Sequence, residues 1–91
     1  MDTVEYFPVP SSLDSMRLPF SEAVRVGDLL YLSGAIGIDA TGTLVEGGIE
    51  AETRQAMDNI RTVLERHGSS MDRVVKCTAM LADMGEWAAM N

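Results

Sequence analysis

Ninety-one residues with a mass of 9.9 kDa make room for one domain, spanning 1–91, and exclude a multidomain enzyme. Hydrophobic residues at 46% and charged residues at 23% exclude a disordered or collagen-like chain. Fourteen acidic against seven basic residues give a formal charge of -7, a field that repels phosphate backbones and anionic lipid, so neither nucleic acid nor a membrane is an expected partner.

No stretch reaches the roughly 18 consecutive apolar residues of a membrane span, and Met1-Asp2-Thr3-Val4-Glu5 shows no basic region leading into an apolar one. A cytoplasmic location is therefore expected. The single cysteine, Cys77, has no partner for an internal disulfide, in keeping with a reducing compartment.

The N-terminal arm collects all three prolines, Pro8, Pro10 and Pro19, and the Ser11-Ser12-Leu13-Asp14-Ser15 cluster. It reads as irregular apart from a short edge strand over Val4 to Val9. From Phe20 the pattern changes: Glu22, Val24 and Val26 alternate with Ser21, Ala23 and Arg25, and Leu29-Leu30-Tyr31-Leu32 forms a compact apolar run. These predict two antiparallel strands joined at Gly27-Asp28, where a leading glycine takes the positive φ of a type II′ turn without steric cost.

Ala35 to Leu44 predicts a bent strand ending in the turn composition Asp39-Ala40-Thr41-Gly42. Beyond Gly47-Gly48, the residues Ile49, Thr53, Ala56, Met57, Ile60, Val63, Leu64 and His67 recur every three or four positions. That spacing predicts a helix with one buried stripe, stopped by Gly68. Glu50, Arg54, Asp58, Arg61 and Glu65 fall on the opposite, solvated face.

Ser69-Ser70-Met71-Asp72 has capping-box spacing and predicts one helical turn. Val74 to Leu81 then reads as a strand, because β-branched and apolar residues dominate it. Reached by way of a helix, it would join the sheet as a parallel, right-handed crossover, making a mixed sheet with its helix on one face. Asp83 as N-cap and Glu86 at the third helical position start a second helix that carries Trp87.

A transition-metal site needs several converging Cys, His or carboxylate ligands, and one His with one Cys leaves no metal expected. Cys77 in mid-strand and His67 on the apolar stripe of its helix read as packing residues rather than as a nucleophile pair. Gly34, Gly37, Gly42, Gly47 and Gly48 match neither the dinucleotide fingerprint nor a P-loop, and no lysine follows them, so they serve turns. Trp87, a large aromatic on a short terminal helix, favours association with another subunit. Residue chemistry alone thus implies a small acidic α+β domain that oligomerises.

At Leu18-Pro19-Phe20-Ser21-Glu22-Ala23, at Val26-Gly27-Asp28-Leu29-Leu30-Tyr31-Leu32-Ser33-Gly34-Ala35-Ile36-Gly37, at Gly47-Gly48-Ile49-Glu50-Ala51-Glu52-Thr53-Arg54-Gln55-Ala56-Met57-Asp58-Asn59-Ile60 and at Val74-Val75-Lys76-Cys77-Thr78, the sequence resembles the RidA (YjgF) family. The resemblance runs from Leu18 to Asn91. It implies a chorismate-mutase-like α+β fold, with helices on one face of a mixed β-sheet, assembled as a homotrimer with ligand clefts between subunits. The implied activity is hydrolysis of reactive imines and enamines, such as 2-aminoacrylate, 2-iminobutanoate and 2-iminopropanoate, to 2-keto acids and ammonia, with no cofactor.

In the family, the substrate carboxylate is held by an arginine of a Pro-Ala-Arg segment beyond the second helix, and a glutamate further on handles water. Neither segment stands in these 91 residues, so the chain is expected to be truncated relative to the family and its turnover impaired. The resemblance carries three substrate-binding positions onto this chain. Phe20 stands where many members have a tyrosine, Ser33 follows the strand as the family's cleft serine does, and Asn91 matches a cleft asparagine on the second helix. Phe20 has no phenolic hydrogen to donate, and the catalytic residue is left unassigned.

A bidentate guanidinium contributes charge-assisted bonds of about 1.5–3 kcal/mol each, and Arg17 is the candidate substitute within the chain. Two further readings stand beside the deaminase. One is a non-catalytic module that binds small metabolites or protein partners through the intersubunit surface. The other is a translation inhibitor or endoribonuclease, a label carried by relatives, which the acidic composition opposes.

Overall fold

The computed structural model describes residues 3–9 and 20–91. The Ser11–Ser15 cluster and Arg17 lie outside the described residues. The elements run β1 (Val4–Pro8), β2 (Ser21–Val26), β3 (Leu29–Leu32), α1 (Gly48–Arg66) and α2 (Trp87–Met90), with 3₁₀ turns at Met71–Arg73 and Met84–Glu86.

β2 and β3 form the expected antiparallel hairpin, with Ala23 opposite Leu32 and Val26 opposite Leu29. The chain reverses at Gly27, whose φ of 58° is the positive value that a glycine-first turn needs. β1 pairs antiparallel with the other edge of β2, placing Phe7 opposite Ala23 and Tyr6 opposite Val24. Because pleating sends successive side chains to opposite sides, Phe7 and Ala23 share one face while Tyr6, Val24 and Tyr31 share the other.

α1 matches the three- and four-residue apolar spacing and ends as Gly68 allows. Gly68 has φ 81°, its N–H bonds the carbonyl of Glu65 at 3.2 Å, and the Ser69 N–H bonds the carbonyl of Leu64 at 2.8 Å. This is a Schellman closure. The C-terminal end of the helix sits on the Phe7/Ala23 face: the His67 ring stacks on Phe7 with centroids 4.2 Å apart, and Arg25 donates to the His67 carbonyl. Ala23, 1% exposed, and Leu64, 6% exposed, mark the core, one in each layer.

The Ala35–Leu44 stretch is a loop rather than a bent strand, closed by one antiparallel bridge between Ile38 and Leu44. Its turn is organised by Asp39, whose carboxylate accepts from the Thr41 hydroxyl at 2.6 Å, the Thr41 N–H at 2.9 Å and the Thr43 N–H at 3.1 Å. The Thr41 hydroxyl first, and the two amides after it, hold the Asp39 carboxyl below its usual pKa.

The crossover strand expected over Val74 to Leu81 does not form. The backbone leaves the 3₁₀ turn extended at Val74, yet no strand pairs with it, and among the described residues the sheet is antiparallel throughout rather than mixed. β-branched residues favour extended geometry, but a strand also needs a neighbour to satisfy its amides and flank its side chains. Val75 and Met80, 88% and 91% exposed, have no such neighbour among the described residues. Cys77 is exposed for the same reason and is not the packing residue expected, whereas His67 is one. The α+β class stands, with α1 on one face of the sheet. No helix of the described residues is long and apolar enough to cross a membrane.

Candidate functional site

On the sheet face turned away from α1, Tyr6, Phe20, Val24, Tyr31 and Ser33 line an open depression of about 300 Å³. Phe20 immediately precedes β2 and Ser33 immediately follows β3, so the antiparallel pairing that aligns these strands also brings their outer ends together. No charged residue lines the depression among the described residues. It offers aromatic and aliphatic walls with the hydroxyls of Ser21 and Ser33 at one end.

Ser33 is fixed by its partner across the hairpin. Its N–H donates to the Glu22 carbonyl at 3.2 Å, and its hydroxyl donates to the same oxygen at 3.3 Å. With its hydrogen committed there, the Ser33 oxygen offers lone pairs to whatever enters the depression.

The Glu22 side chain goes the other way. Between Phe7 and Pro8 the β1–β2 register shifts, so that Phe7 faces Ala23 while Pro8 faces Ser21, leaving Glu22 as the extra residue of a bulge. Unbroken alternation would place the Glu22 carboxylate beside Val24 and Tyr31, at the depression. The bulge instead turns it toward α1, where Oε2 lies 2.8 Å from Nε2 of His67 and Oε1 pairs with Arg66. The Glu22 and His67 side chains are only 10% and 11% exposed.

The loop that leaves Ser33 is tied down from α1. The Asn59 amide nitrogen donates to the carbonyls of Ile36 and Ile38, and Gln55 holds the Asn59 oxygen. Gly37 packs directly on the Glu52 backbone, where a Cβ would lie 2.6 Å from the Glu52 Cα.

Of the three positions marked from the sequence, the fold brings Phe20 and Ser33 into one depression and leaves Asn91 elsewhere. Asn91 follows α2 on a separate open cleft of about 500 Å³, shared with Arg54 and Arg61 of α1. Sequence reasoning missed Tyr6, Tyr31 and Glu22. The alternation of β1 and β3 was a usable signal for the two tyrosines, which only the pairing register places on one face. Glu22 carried no such signal, because a one-residue bulge in a six-residue strand leaves the local pattern unmarked.

Comparison with known proteins agrees with this architecture. Residues 12–91 match the family model described as Endoribonuclease L-PSP. The chain is 43% identical over 74 residues to a RutC family protein of Pyrococcus horikoshii, covering 80% of this chain and 59% of that one. It is 40% identical over 74 residues to the 2-iminobutanoate/2-iminopropanoate deaminase of Mus musculus, covering 80% and 55% respectively. Among solved structures, YyfA of Yersinia pestis, of the conserved Rid protein family, superposes with a TM-score of 0.81 at 31% identity, over 97% of this chain and 70% of that one. The chain spans somewhat over half the length of the curated relatives it matches. Sequence blocks, fold and family model converge, and the chain belongs to the Endoribonuclease L-PSP family, the RidA (YjgF) family that its sequence resembles.

Proposed function

We propose that this protein is a deaminase of reactive imines, hydrolysing small 2-imino acids such as 2-iminobutanoate at the depression between Phe20 and Ser33. Water adds to the imine carbon, the carbon–nitrogen bond breaks, and the products are a 2-keto acid and ammonia. The single observation that carries the reading is the meeting of Phe20 and Ser33 in one depression, in a chain whose relatives include proteins named as 2-iminobutanoate/2-iminopropanoate deaminases.

The chemistry of the lining supports a small substrate with a short apolar tail. Tyr6, Val24 and Tyr31 suit an alkyl group, and the Ser33 oxygen suits an imine N–H or a water molecule that needs an acceptor. The substrate carboxylate finds no cation among the described lining residues. Its grip therefore needs a cation from outside this lining, and without one turnover is slow. Exposed Val4, Tyr6, Leu29 and Tyr31 on the same face support assembly through that face as a homotrimer. RNA is a poor fit, given a net charge of -7 and an uncharged lining.

The test couples the purified chain to a pyridoxal-phosphate enzyme that releases aminoacrylate and follows imine decay. Slow but measurable acceleration of imine decay over buffer, together with saturable binding of 2-oxobutanoate, is the expected result. Decay at the buffer rate overturns the deaminase reading, and rapid turnover overturns the slow turnover. Sedimentation at three times the chain mass is expected, and a stable monomer contradicts the assembly.

A further inference from the structure

We propose that Glu22 is a positioning residue for Ser33, resting on the reading of the depression as the substrate site. The two sides of Glu22 answer to different neighbours. The bulge against β1 turns its carboxylate off a face that must receive an anionic imino acid, while its carbonyl oxygen, in ladder register with β3, accepts from both the N–H and the hydroxyl of Ser33.

What holds the bulge in that sense is the side chain on the far side of the sheet. Oε1 pairs with Arg66 and Oε2 with His67, both at the C-terminal end of α1, and the His67 ring is itself fixed by stacking on Phe7. Arg25, a further cation of this corner, donates to the His67 carbonyl. The helix end therefore grips one side of Glu22 while the site residue hangs on the other. Slackening the grip lets the peptide rotate, frees the Ser33 hydroxyl hydrogen, and allows the carboxylate back toward the depression, where it repels the substrate carboxylate.

Amide hydrogen exchange at Ser33 and 2-oxobutanoate binding, both read by NMR on the full chain, test this. Glu22→Ala is expected to speed Ser33 exchange about tenfold relative to the other β2–β3 ladder amides and to weaken 2-oxobutanoate about fivefold. Glu22→Gln, which keeps an acceptor for Arg66 and a hydrogen-bonding group for His67, is expected to restore both to near wild type. His67→Phe retains the stack on Phe7 and loses the bond to Glu22, so it should reproduce the Ser33 effect at smaller amplitude. A uniform rise across the whole ladder, or Ser33 exchange unchanged in Glu22→Ala, overturns the positioning role alone. Wild-type protein that leaves the Ser33 resonance unmoved by 2-oxobutanoate overturns the substrate site itself, and the positioning role with it.

Discussion

Asn59 donates to the carbonyl oxygen of Ile38 at 2.8 Å, and with its second hydrogen to that of Ile36 at 3.0 Å. One helical amide thereby supplies hydrogen bonds that a neighbouring strand would otherwise give this loop. Gln55, one turn earlier, donates to the Asn59 oxygen at 2.9 Å and sets which way the amide faces. Asn59→Ala is expected to cost about 1–2 kcal/mol, since two carbonyls lose their partner. A lowered urea midpoint with an unchanged slope is the signature, and an unchanged midpoint would count against the anchoring role.

Gly37→Ala should be the more damaging change. The Gly37 φ lies outside the left-handed region, so the objection to a side chain is spatial: the new carbon would meet the Cα of Glu52 at 2.6 Å and its carbonyl oxygen at 2.7 Å. Backbone on both sides leaves nothing flexible to yield. A loss of about 1–3 kcal/mol is expected, seen as a lower Tm.

Asp39 makes the turn between Ile38 and Leu44 sensitive to acid. The Thr41 hydroxyl and the amides of Thr43 and Thr41 stabilise its carboxylate, so its folded pKa lies below that of an ordinary aspartate. The stabilisation is present above that value and is lost as pH falls through the lowered folded value. Following the Asp39 carboxyl carbon by NMR should show this, and Thr41→Ala should move the midpoint upward, because the Thr41 hydroxyl is the largest contributor. A midpoint unmoved in Thr41→Ala would contradict the assignment.

The hairpin, the helix and the stop at Gly68 were legible because each carries its cause locally: a leading glycine at Gly27, a three- and four-residue apolar spacing, a left-handed glycine. Val74 to Leu81 was legible only as extended backbone, since pairing depends on what lies beside it and not on its own β-branched residues. For the site, the family blocks marked Phe20 and Ser33, and the pairing register put them together. The resemblance beyond those blocks marked Asn91, which lies on a different surface. Glu22 became visible only through the shift between Phe7 and Pro8, a feature of two strands taken together.

Phe20 offers a direct gain-of-function variant. Replacing it by tyrosine adds a hydroxyl at the rim of the depression, on a residue that is 52% exposed and therefore has room for the extra oxygen. One new hydrogen bond to a charged carboxylate is expected to tighten 2-oxobutanoate about fivefold or more. Calorimetry on Phe20→Tyr checks it, and equal or weaker binding would place the carboxylate elsewhere.

The most direct test of the substrate site is a heteronuclear NMR titration of the chain with 2-oxobutanoate. The largest shifts are expected at Phe20, Tyr31 and Ser33, saturating together. Shifts confined to Arg54, Arg61 and Asn91, or none at saturating ligand, would contradict the placement of the imine site on the open face of the sheet.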